Sequence, residues 1–75
     1  MGRMSEALRF FDLAIKIEPQ NKFILLNAAI TNQKMQRNEI ALRLFLQVLE
    51  VDPSLREAHI KAAAIYRDFG DFTEV

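Results

Sequence analysis

Residues 7–19 read ALRFFDLAIKIEP and residues 41–53 read ALRLFLQVLEVDP. Set 34 positions apart, the two stretches bring unlike residue types into register together: Ala7 with Ala41, Leu8 with Leu42, Phe11 with Phe45, Glu18 with Asp52 and Pro19 with Pro53. A small residue, an aliphatic, an aromatic, an acid and a proline recurring at one spacing mark a repeated structural unit, not a general taste for apolar residues. The other half of the unit recurs as well, with Ala28 and Ala29 returning as Ala62 and Ala63, and Gly2 returning two periods on as Gly70.

Each half reads as a helix. From Ser5 to Glu18 the apolar residues Ala7, Phe10, Phe11, Ala14, Ile15 and Ile17 fall largely at three- and four-residue steps, while Arg9, Asp12 and Lys16 take the other face. The same logic predicts helices over Lys22–Met35, Glu39–Val51 and Leu55–Phe69, with a fifth starting near Phe72. Pro19 and Pro53 cannot continue a helix, Gly70 supplies a turn, and Asn21 and Asn38 stand where side-chain caps belong. Ser54 followed three residues on by Glu57 predicts a capping box. Short connections force neighbouring helices to run antiparallel, so the natural unit is a helical hairpin, and nothing predicts a strand.

Composition narrows the function classes. Ten Lys plus Arg balance ten Asp plus Glu in 75 residues, which removes the electrostatic footprint of a nucleic-acid binder or of a segment drawn to anionic membrane. A small helical DNA-binding domain is disfavoured on the same ground. An apolar share of 51% supplies a core and argues against disorder. Without cysteine there is neither a disulfide nor a thiolate metal site, which is compatible with a reducing compartment, and the expected location is cytoplasmic. No apolar run reaches the roughly 20 residues of a transmembrane helix, and Met1 to Arg9 lacks the apolar stretch of a secretory signal.

A period of 34 carrying Ala-x3-Phe and then Pro eight residues on, as in Ala7, Phe11, Pro19 and again in Ala41, Phe45, Pro53, resembles the second helix of the tetratricopeptide repeat. The first-helix pattern of that family is met more loosely, by Leu25, Ala28, Ala29 and Asn32 and by His59, Ala62, Ala63 and Tyr66. Alanine at 28 and 62 where the family has leucine, and Asn32 where it has tyrosine, thin the packing expected inside a hairpin. Gly2 to Leu8, like Tyr66 to Glu74, looks like the turn between the two helices of such a repeat. The resemblance implies an all-α, right-handed α-solenoid of antiparallel hairpins, with four full helices and the start of a fifth. It sets a phase within one domain over residues 1–75: the second half of a repeat over 1–21, a complete repeat over 22–55, and the first half of the next over 56–75. The chain is therefore expected to be a fragment of a longer array whose first helix lacks its hairpin partner.

The resemblance also implies a function: first helices of successive repeats line a concave groove that takes a peptide or helix of a partner protein. Carried onto this chain, the groove presents Phe23, Leu26, Asn27, Ile30 and Lys34, and then Glu57, Ile60, Lys61, Ala64 and Arg67. Independently, the run FILLNAAI over residues 23–30 is apolar around nearly its whole circumference, more than one packed face demands. Either a partner segment or a further repeat or second copy of the chain covers the excess. Self-association, by dimerisation or exchange of half-repeats, would run through Phe10, Phe11 and Ile15. Asn27 and Lys61 match two places of the family's clamp for acidic chaperone tails, but Glu57 stands where a further basic residue is wanted.

Catalysis finds little footing. His59 is the sole histidine, and a lone imidazole on a helix more often packs or faces solvent than binds metal. Asp12 with Lys16 and Glu39 with Arg43 are four apart, the spacing of exposed ion pairs. Met35 and the Phe10, Phe11, Phe45 set read as packing, since no basic stripe interleaves with the aromatics as nucleic-acid stacking would need. The expected protein is a non-enzymatic scaffold without cofactor or metal, whose partners are proteins or peptides.

Overall fold

In the computed structural model, which describes residues 2–69, the chain forms four helices: α1 over Gly2–Ile17, α2 over Lys22–Lys34, α3 over Asn38–Val51 and α4 over Arg56–Phe69. No strand occurs among the described residues. The turn expected at Gly70 and the helix expected from Phe72 lie outside them. Each helix packs on the next in the chain, as short connections between antiparallel rods require.

The repeat is visible in the backbone itself. The turn after α1 closes with the amide of Asn21 donating to the carbonyl of Glu18 (3.1 Å), and the turn after α3 with the amide of Leu55 donating to Asp52 (3.2 Å). The first bonds of the following helices match as well, Leu25 N to Asn21 O at 3.0 Å and His59 N to Leu55 O at 3.3 Å. The three positions that make these bonds at the first turn, 18, 21 and 25, recur 34 residues later as 52, 55 and 59. Pro19 and Pro53 sit in these turns, where their lack of an amide hydrogen is harmless.

The core lies between α2, α3 and α4. Leu25 and Ala29 of α2, Ala41, Phe45 and Val48 of α3, and Ala58, Ala62 and Ile65 of α4 are buried in one cluster, onto which Ile15 of α1 packs from one side. The alanines of this cluster, Ala29 of α2 and Ala58 and Ala62 of α4, offset the bulk of Phe45 of α3 in the same core.

Several local expectations need correction. Gly2 to Leu8 is not a turn but the start of α1, because Arg3, Met4, Glu6, Ala7 and Leu8 are good helix formers with no breaker among them. Ser54 and Glu57 do not form a capping box. Asp52 takes the Ser54 amide (3.1 Å) and hydroxyl (2.8 Å) on its Oδ1, and α4 starts at Arg56, which puts Glu57 one turn position too early to reach back. Asn38 is the first helical residue of α3 and not its cap; Arg37 precedes the helix without a side-chain bond. The two expected i,i+4 pairs stay open, and the ion pair among the described residues is Lys22 with Asp52, since exposed charges in water gain little from closing.

Asn21 does cap α2, its Oδ1 accepting from the amides of Phe23 (3.0 Å) and Ile24 (3.3 Å) while its Nδ2 donates to Glu18 Oε1 (2.7 Å). At the other end of α2, Gln36 adopts φ 63°. Its amide donates to Gln33 O and that of Arg37 to Asn32 O, both at 2.9 Å, the paired bonds of a Schellman turn normally closed by glycine.

Candidate functional site

The ten residues expected to line a groove all stand at or near the surface. On α2, Phe23, Asn27 and Lys34 are exposed and Leu26 and Ile30 half-buried; on α4, Glu57, Ile60 and Arg67 are exposed and Lys61 and Ala64 half-buried. Leu26 and Ile30 lean on the core cluster with one side. The two residues with most apolar surface to offer are Phe23, 66% exposed, and Ile60, 60% exposed.

Phe23 does not stand alone. The Lys22 ammonium lies 5.5 Å from its ring centre, within cation–π range, and the same ammonium donates to Asp52 Oδ2 at 2.5 Å. The Lys22 hydrogen bond, followed by those from Ser54, holds the Asp52 carboxyl below its ordinary 3.8, at about 2. The first turn of α2 is thus tied to the residue after α3, across the open end of the hairpin.

The three residues expected in self-contact separate. Phe10 is 69% exposed, whereas Phe11 and Ile15 are half-buried toward α2 and α3. The apolar face of α1 that meets solvent is instead Phe10 with Leu13 (58% exposed) and Ile17 (78% exposed), beside Glu6 and Arg9. Residues 10, 13 and 17 keep three- and four-residue spacing, so this second stripe was legible in principle. One amphipathic helix carries two apolar faces here, and the stripe through 7, 11, 14 and 15 masks the other.

A cleft of about 230 Å³ opens between α1, α2 and α3, with Ala28 and Asn32 at its floor. His59 is exposed, and its Nε2 donates to the carbonyl of Pro53 at 2.7 Å; it stands in no cluster of metal-ligating side chains among the described residues. No described helix is long and apolar enough to cross a membrane.

Antiparallel hairpins that repeat their turn hydrogen bonds as well as their residues define a helical-repeat protein. Two relatives from Arabidopsis thaliana make the type specific: an inactive tetratricopeptide (TPR) repeat-containing thioredoxin, 34% identical over 70 residues, and a TPR repeat-containing thioredoxin, 33% identical over 70 residues, each match covering 93% of this chain. The repeats of this chain are of the tetratricopeptide type. The chain spans 10% of the length of either relative. No family model and no solved structure matches it. Tetratricopeptide repeats are in general protein-interaction modules, and at that level the chain is one of them.

Proposed function

We propose that the chain binds an extended or helical segment of a partner protein along the outward faces of α2 and α4, with Phe23 and Ile60 as anchors and Leu26 and Ile30 as the apolar bed between charged margins. The observation that carries this reading is the exposure of two large apolar side chains on equivalent helices of successive repeats; fixed apolar anchors ringed by polar residues are what binding hot spots are made of. The Lys22 ammonium, 5.5 Å from the Phe23 ring centre, adds a cation–π contact beside this anchor. Lys34, Glu57, Lys61 and Arg67 set charge register at the margin, where Asn27 adds an uncharged amide. The mixed signs there do not favour an acidic-tail clamp, because Glu57 would repel an incoming carboxylate.

A displayed-peptide library panned on the chain tests it. Peptides so selected should lose about tenfold or more in affinity to a Phe23→Ala, Ile60→Ser double variant that keeps its circular dichroism. If none of them does, the groove reading is wrong.

A second reading rests on a different observation, the solvent-facing stripe Phe10, Leu13 and Ile17. It makes the chain a homo-oligomer through α1, with Phe11 and Ile15 behind the contact and not in it. Light scattering at high concentration should then show a dimer that Phe10→Ser with Leu13→Glu converts to a monomer; a wild-type monomer removes the idea.

A further inference from the structure

We infer that the cleft between α1, α2 and α3 is a second binding site, which receives one tryptophan side chain of an acidic partner peptide. It lies apart from the α2 and α4 residues proposed above and does not depend on them. The cleft grades from closed to open. Ala28 and Asn32 at its floor are buried, Leu8, Phe11, Ile15 and Leu44 on its walls are half-buried, and Asp12, Arg37 and Arg43 at its rim are exposed.

The floor is where this chain departs from its repeat type. Ala28 is buried yet does not belong to the main core cluster, and Asn32, 5% exposed, donates Nδ2 to the Ala28 carbonyl at 2.8 Å. Its Oδ1 accepts no hydrogen bond from the described residues, and no fully buried side-chain oxygen lacks a partner. That oxygen is therefore not fully buried, and it is an unused acceptor on a residue that lines the cleft.

Size and chemistry then choose the occupant. A volume of about 230 Å³ falls short of the roughly 300–1,000 Å³ that takes a drug-sized ligand and suits a single large side chain. Apolar walls call for an aromatic ring, and a lone acceptor at the floor calls for a donor. The indole ring is flat, apolar and donor-only. Two guanidiniums, Arg37 and Arg43, and one carboxylate, Asp12, line the rim, and no ion pair joins them among the described residues. Both guanidiniums remain free to meet acidic residues flanking the tryptophan.

The chain itself contains no tryptophan, so the emission of a peptide probe is free of background. Acetyl-Asp-Asp-Trp-Asp-Asp-amide titrated with the protein should show a saturable blue shift that weakens as salt rises. Replacing its tryptophan by phenylalanine, followed by competition, should weaken binding about threefold to tenfold, as expected for one hydrogen bond. Ala28→Leu with Asn32→Tyr, which fills the hole, should abolish the shift while leaving the helical circular dichroism intact. Arg43→Glu, on an exposed residue that threatens no fold, should weaken binding at least fivefold. Absence of a saturable shift at millimolar protein overturns the inference, as does a shift that survives both variants. Equal affinity for neutral N-acetyltryptophanamide overturns its acidic-peptide part.

Discussion

Lys22 Nζ and Asp52 Oδ2, thirty positions apart in sequence, meet at 2.5 Å and join the start of α2 to the residue that ends α3. Asp52 does more than pair. Its other oxygen organises Ser54 at the entrance to α4, so one carboxylate coordinates the ends of three helices. That places a single titrating group where the ends of α2, α3 and α4 meet.

Stability should therefore carry an acid-sensitive part traceable to Asp52. Its folded pKa, about 2, lies below the ordinary 3.8, so the folded state holds the charged form more firmly. The contribution is complete well above 3.8 and fades as pH falls through about 2. Urea unfolding at pH 7 and at pH 2.5 should show Asp52→Asn less stable than the native chain at the higher pH, with the gap narrowing at the lower.

Gln36 holds a left-handed backbone, φ 63°, that a side chain with a Cβ disfavours by about 1–2 kcal/mol. Gln36→Gly keeps both Schellman bonds and removes that strain, at some loss to the flexibility of the unfolded chain. A net gain of about 0.5–1 kcal/mol in denaturant unfolding is expected, and Gln36→Val should lose stability instead.

Asn21 caps α2 through two amide hydrogen bonds. Asn21→Ala should destabilise by about 1 kcal/mol, visible as a lower melting midpoint. Asn38→Ala should leave the midpoint nearly unchanged, because Asn38 makes no cap.

Phe11 and Phe45 occupy the same place in the repeat and should respond differently. Phe45 is fully buried in the core cluster, and Phe45→Ala should remove about 3–5 kcal/mol, enough to unfold so small a chain at room temperature. Phe11 is half-buried, so Phe11→Ala should leave a folded protein with reduced helicity in α1, read by circular dichroism and amide exchange.

The helices, their order and the repeat were legible along the chain because they rest on near-neighbour physics. Apolar spacing, prolines at the turns and the cap at Asn21 act within a few residues. A spacing of 34 between Ala7, Phe11, Pro19 and their counterparts needs no knowledge of contacts. Local reading failed where two local partners compete. Ser54 could serve Glu57 or Asp52, and only the turn geometry assigns it to Asp52.

What tertiary structure alone decided is burial. The run from Phe23 to Ile30 is apolar around nearly its whole circumference, so its periodicity cannot say that Leu25, Ala28 and Ala29 face inward while Phe23 faces solvent. Phe10 and Phe11 are adjacent and equally apolar, yet one meets water and the other leans toward α2 and α3. Sequence determined which segments are helices and that they repeat, since hydrogen bonds four residues apart and turn chemistry fix those. Which faces are covered, which stay open to a partner, and where Ala28 and Asn32 leave a cleft depend on a second helix arriving from elsewhere in the chain, and that information exists only once the helices have packed.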